Sequence, residues 1–198
     1  RAIAIAAAME QLAAGSTDIS CRAVAAWTHG MADQLEGDLP ASLEHLEQAE
    51  TAFIELGQPS LAAETLISKL FSLAMLGRYD EALRAGLRAR AIFLGHGDSL
   101  AAGKVEQNLG NIYFRRDEYR KAEQLYRTAK KRFVEIGDPK QLAQIDSSVA
   151  IAEQRVARRS NSLLSRHPFF VAIRSVRSTT VSPSRRWPVA STSTASTS

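Results

Sequence analysis

The residues best suited to nucleophilic or metal chemistry are one cysteine and four histidines, and none stands where its chemistry can be used. Cys21 and His29 lie eight positions apart on one expected helix, about two turns, too far for the imidazole to take the thiol proton. The better reading is a small buried thiol beside a surface or interface histidine. His29, His45, His96 and His167 show no metal-ligand spacing. A lone cysteine excludes an internal disulfide and a thiolate zinc cluster. No glycine-rich phosphate loop and no dinucleotide fingerprint occurs. Gly95-His96-Gly97-Asp98 resembles a fragment of a site but falls at a turn between two expected helices. The expectation is a protein without enzymatic activity and without a cofactor. What remains is recognition chemistry, and it must be carried by amides, cations and apolar side chains set on regular elements.

Composition narrows the partners. The 198 residues suffice for one domain, and 45% hydrophobic with 23% charged residues is ordinary for a globular protein. No apolar run approaches the ~20 residues of a membrane span. The opening RAIAIAAAMEQLAAGS resembles a signal peptide, but Glu10 and Gln11 interrupt it. A first residue other than methionine suggests a fragment or a processed chain. The single cysteine fits a reducing compartment, and the expected location is cytoplasmic. The net charge of +4 belongs to the end of the chain. After Glu153 come Arg155, Arg158, Arg159, Arg166, Arg174, Arg177, Arg185 and Arg186 and no acid, so subtracting these eight leaves −4 over residues 1–154. Nucleic acid is therefore not the expected partner of the folded part; only the tail would bind it, without sequence preference and in a salt-dependent way.

The elements are set by a repeat of 40 residues. Ala49, Ala89 and Ala129 align, as do Phe53, Phe93 and Phe133, and Gly57, Gly97 and Gly137. Leu39, Tyr79 and Tyr119 form a fourth column, and Ser42, Ala82 and Ala122 a fifth. Apolar residues recur at three- and four-residue steps, the signature of amphipathic helices. Glycines followed by Asp or Gln, and then by Pro or Ser, mark stops and new starts, as in Gly137-Asp138-Pro139. Helices are expected near 2–14, 19–36, 40–56, 60–76, 80–95, 99–115, 119–136 and 139–158, with no strand. The units fall near 18–57, 58–97 and 98–137, with a partial one at 138–158, in a domain covering 1–158. Gly110, costly inside a helix by roughly 1 kcal/mol against alanine, is expected to let two backbones approach, facing Ala122. Gly30 lies in the same column; Leu70 breaks it, so the second unit is expected to pack more loosely.

The segment Asn108–Phe133, NLGNIYFRRDEYRKAEQLYRTAKKRF, carries Leu109, Gly110, Tyr113, Tyr119, Ala122, Tyr126 and Ala129. In this it resembles the tetratricopeptide repeat family, over roughly residues 18–158. The period exceeds the family's usual 34, and GRYDEAL, RARAIF and NLGNIYFRRDEY resemble the long-repeat bacterial arrays found with CHAT-protease or regulatory domains. The resemblance implies an all-α fold of antiparallel helix hairpins stacked as a right-handed α-solenoid. It also implies that the first helix of each hairpin lines a concave groove for a peptide or protein. Carried over by position, the third unit contributes Lys104, Gln107, Asn108, Asn111 and Arg115, the second Ser68, Phe71 and Met75, and the first Trp27, Thr28 and Met31. Asn111 stands at the family's groove asparagine; an amide both donates and accepts, as a peptide group requires. Lys104 and Arg115 suit a carboxylate. The groove would grade from apolar to cationic along the array. Phe71, Met75 and Trp27 read equally well as core, and Lys104 and Arg115 as a solvated helix face.

Residues 159–198 are rich in Ser, Thr and Arg, and disorder is expected. The tail reads either as a basic binding segment or as the product of a shifted reading frame ending a longer array. Two functions follow from the array itself: a non-catalytic scaffold that binds a peptide or protein segment in its groove, or the sensor portion of a larger regulatory protein. Open repeat ends leave room for self-association.

Overall fold

A computed structural model describes Ala8, Met9, Gln11 and residues 18–166, with side chains through Asn161. The described residues form seven helices: α1 (Ile19–Glu36), α2 (Leu39–Glu55), α3 (Pro59–Met75), α4 (Tyr79–Gly95), α5 (Ser99–Arg115), α6 (Tyr119–Ile136) and α7 (Pro139–Arg166). No strand occurs among them. The expected helix at 2–14 and the expected disorder beyond 166 lie outside the described residues, except that Ala8, Met9 and Gln11 are helical. The last helix is a correction: it passes residue 158 and continues to Arg166.

Local chemistry fixes the boundaries. Asp18, Asp38 and Asp98 cap their helices by accepting from the backbone N–H groups of Ser20, Ala41 and Ala101 at 2.8, 3.1 and 2.9 Å. Each removes one unsatisfied donor from a helix start, worth about 1 kcal/mol. Gly37, Gly57, Gly77, Gly97 and Gly137 all take positive φ, between 65° and 87°, where a side chain would be strained. The turn after α5 has no glycine, and Asp117 adopts φ 59° in its place.

Each helix from α1 to α5 packs against the next, α6 shares a buried cluster with α7, and α1 also touches α3. The side chains at the repeat columns fill the joints. Phe53, Phe93 and Phe133 are each at most 2% exposed. Burying a side chain of this size stabilises by about 1.5–3 kcal/mol. Leu43 of α2 joins Leu66, Leu70 and Leu73 of α3 and Ala102, Val105, Leu109 and Ile112 of α5 in one cluster. Ala129 and Phe133 of α6 join Ile145 and Ala152 of α7 in another.

Gly110 corrects one expectation. It makes room for the ring of Tyr126 and not for Ala122: a Cβ there would lie 2.5 Å from Tyr126 Cε1. Gly30 does the same for Leu46, at 2.7 Å. In the second hairpin the pair is exchanged. Leu70 occupies the glycine position, and Gly86 on the opposite helix leaves its space, a Cβ there lying 2.6 Å from Leu70 Cδ1. Leu70 is 4% exposed, so the leucine is accommodated at this joint and leaves no gap where the glycine column is broken.

Ion pairs hold successive hairpins in register. Arg90 of α4 reaches Glu106 of α5 at 2.7 Å, and Lys130 of α6 reaches Asp146 of α7 at 2.8 Å, the same sixteen-residue step one repeat later. Glu106 has no exposed surface and is also bound by Arg132 at 2.9 Å. A carboxylate so buried is tolerated only when paired, and here two guanidinium groups from the flanking helices do so. Glu50 plays the corresponding part earlier in the array, bound by Arg88 at 3.0 Å and Lys69 at 3.5 Å.

Candidate functional site

The odd-numbered helices share one face, and a groove of about 370 Å³ runs across three of them. Gln34 of α1 stands at one side. Ile67, Ser68, Leu70, Phe71, Ala74 and Met75 of α3 form its floor. Asn108, Asn111, Ile112 and Arg115 of α5 close the other side. The 40-residue period builds this surface: Met31, Phe71 and Asn111 occupy one register position on three helices, and Leu35, Met75 and Arg115 another. Phe71 and Met75 are half exposed, at 49% and 50%. Ring and thioether surface left in water at one place in a groove is the usual mark of a binding surface.

The polar atoms are held from behind. Gln34 Nε2 donates to the Ser68 carbonyl and to Ser72 Oγ, both at 2.8 Å, tying α1 to α3. Tyr126 Oη donates to Asn111 Oδ1 at 2.8 Å. That bond engages the carbonyl oxygen of the amide and leaves the Nδ2 group of an exposed side chain as the donor for a further partner. Burial keeps the Tyr126 phenol protonated, its pKa pushed up to about 12, so it remains a donor at neutral pH.

The residues expected from sequence divide into two groups. Ser68, Phe71, Met75, Asn108, Asn111 and Arg115 come together in the groove. The other five lie outside its lining, Thr28 with its Oγ1 donating to the Val24 carbonyl of its own helix at 2.7 Å. Trp27 meets Phe53 edge-on, ring centroids 6.0 Å apart, and packs on the cluster of Ala23, Ala49, Phe53 and Ala62. Gln107 is 7% exposed and turned into the helix packing. Met31 is 48% exposed on α1, in register with Phe71 but beyond the groove edge. Lys104 is exposed one turn before Asn108. It acts on Glu64 of α3, whose carboxyl is raised by burial and partly lowered again by the lysine charge. Sequence reasoning missed Gln34, Ile67, Leu70, Ala74 and Ile112; Gln34 and Ala74 share one register position, and Ile67 stands in register with Gln107, so the period could have linked them.

A larger depression, about 710 Å³, lies between α1 and α2 and includes Ile19, Ala26, Glu44, Glu47 and Glu55. Its Ala26 corresponds in register to Leu66, which is buried in the core shared by α2 and α3. The depression is thus the first hairpin's copy of an inter-repeat surface, and it unites none of the expected site residues. Among the described residues no group of three or more His, Cys, Asp or Glu is placed to hold a metal ion, and no helix is long and apolar enough to cross a membrane.

Residues 70–135 match the family model described as tetratricopeptide repeat. No curated protein matches the sequence. Among solved structures, the fold is similar to BtubC (BKLC) from P. vanneervenii, with TM-score 0.66 and 14% identity over 91% of this chain and 74% of that one. It is also similar to the apo form of RapI, with TM-score 0.68 and 18% identity over 85% of this chain; the match spans 61% of RapI. Residues 70–135 therefore carry tetratricopeptide repeats, and the helix hairpins that flank them share their fold.

Proposed function

We propose that the chain is a non-catalytic interaction scaffold that holds a segment of another protein in the groove across α1, α3 and α5. Repeats of this kind generally bind proteins or peptides, which supports the coarse reading. The observation that supports the groove itself is the pairing of half-exposed Phe71 and Met75 with the fixed amide of Asn111 on one continuous surface. Apolar side chains of a bound segment lose water against the first two, and its peptide groups exchange hydrogen bonds with the third. An array that couples such a segment to an output domain elsewhere in a longer protein would use the same surface, and the same variants test it.

The test compares Phe71→Asp with Leu87→Asp, an equally exposed leucine on α4. Both replace an exposed apolar side chain and should leave the helical signal and melting temperature close to the original. A partner captured from lysate by the unmodified chain should be lost with Phe71→Asp and kept with Leu87→Asp. Loss with Leu87→Asp alone would move the binding surface away from the groove.

A further inference from the structure

The depression between α1 and α2 has a counterpart at the later joints of the array, and there it is filled. Ala62 and Leu66 of α3, and Ala102 and Glu106 of α5, hold the register positions of Arg22 and Ala26, and all four are buried. The second helix of the preceding hairpin helps to cover them. Phe53 of α2 shares a cluster with Ala62, Leu43 of α2 shares one with Leu66, and Arg90 of α4 binds Glu106 at 2.7 Å. The surface beside α1 is thus shaped to seat a helix that precedes it.

The chain supplies a segment of the right length and register. Seventeen residues precede Asp18, the cap of α1. Counted back one period, α2 falls on them. Ala8, Met9 and Gln11 are helical, and their exposure follows α2: Ala8 and Gln11 are exposed as Gln48 and Thr51 are, and Met9 is partly buried where Ala49 is buried. The size changes at this joint offset one another. Ala13 stands in the place of Phe53, and the longer Arg22 in that of Ala62. Met9 stands in the place of Ala49, and the shorter Ala26 in that of Leu66. A complementary sum of volumes is what a joint of this kind requires.

The polar partners correspond as well. Glu10 holds the register position of Glu50. Glu50 is 6% exposed and is bound by Lys69 at 3.5 Å and by Arg88 at 3.0 Å. One period earlier those two partners become His29 and Gln48, and both types can donate to a carboxylate.

We propose that the depression is a docking site for the chain's own residues 2–14, which lie in it as a helix latched by Glu10 accepting from His29 and Gln48. An imidazole and an amide replace two permanent cations, so this latch is weaker than the one at Glu50. The first joint is then one that opens readily, exposing Ala26 and the carboxylates Glu44, Glu47 and Glu55.

The experiment follows hydrogen exchange of the full chain by mass spectrometry over residues 2–14, beside a free peptide of the same sequence. These amides should exchange at least about tenfold more slowly in the chain than in the peptide. Glu10→Ala should remove most of that difference and leave α3 and α5 unchanged. His29→Lys with Gln48→Arg gives the first joint the partners of the second. It should slow exchange over 2–14 by on the order of tenfold more, and only while Glu10 is present. That gain cannot come from misfolding. Exchange at the rate of the free peptide would overturn the docking site. Slow exchange that no substitution alters would overturn the latch and the register behind it. Slow exchange that is lost on dilution would overturn the assignment to the chain's own segment and point to a second copy.

Discussion

The second and third hairpins are built to one plan and differ where the plan leaves freedom. In the second, the bulky member of the closest helix contact is Leu70 on α3 and the glycine is Gly86 on α4. In the third, the glycine is Gly110 on α5 and the bulky member is Tyr126 on α6. At the register position where the second hairpin buries Leu66, the third buries the doubly bound Glu106. On the groove face the second presents Phe71 and Met75 and the third presents Asn111 and Arg115. The backbone spacing survives all three exchanges because what it requires is a complementary sum of volumes and satisfied polar groups, not particular residues. The groove face carries no such constraint, so its chemistry can differ from hairpin to hairpin.

The exchange of glycine and leucine is the sharpest way to break the comparison. Leu70→Gly should cost about 3–5 kcal/mol by opening a cavity. Gly86→Leu should cost about 1–3 kcal/mol or more by overpacking. Together they should destabilise by at least about 1 kcal/mol less than the sum of the two, because each accommodates the other. Recovery stays incomplete, since Gly86 also makes room for Leu109. Strict additivity in denaturant melts would show that the two positions do not share one space.

Next in size is the buried acid. Arg132→Met removes one of two partners from a carboxylate with no exposed surface, and should cost about 3 kcal/mol. Glu106→Leu gives the third hairpin the residue of the second. It should cost much less, because Arg90 and Arg132 are partly exposed and can rehydrate. The reverse order in chemical denaturation would contradict the assignment of Glu106 as the group that depends on its partners.

A smaller effect belongs to the groove wall. Tyr126→Phe should lose about 1 kcal/mol with its hydrogen bond to Asn111. The folded phenol titrates near 12 against 10.0 for the free group, so its contribution is present below pH 10 and lost as pH rises through 12. The alkaline decline in stability should shrink accordingly in the Phe variant. The smallest effect is at Glu64, whose carboxyl is raised by burial. Its contribution is full when protonated and is lost as pH rises, so Glu64→Gln should raise the melting temperature slightly at neutral pH. The difference should vanish below about pH 4.

Much of this was legible in the residues. Glycines that need positive φ and aspartates that cap helices are local signals, and they place six of the seven described helices to within a residue. The end of α7 was not legible by composition. Residues 159–166 look like a polar tail, yet the first strong helix breaker after 158 is Pro168, and the helix runs almost to it. The 40-residue columns also gave the groove, since a register position on one helix fixes the same face on the next. They do not say which residue of the opposite helix faces a given column: Gly110 meets Tyr126 where the spacing points to Ala122, and Leu70 meets Gly86 where the broken column points to looser packing. Trp27 and Gln107 went astray for a related reason. One position along a helix is 100° of rotation, enough to turn a side chain from the groove into the packing.

The most direct measurement of the central claim is photo-crosslinking from the two faces. A benzophenone amino acid would be placed at Phe71 in one variant and at Leu87 in another, each incubated with the partner that the unmodified chain captures from lysate. The account predicts a covalent adduct from position 71 and none above background from position 87. An adduct from 87 with none from 71 would contradict it.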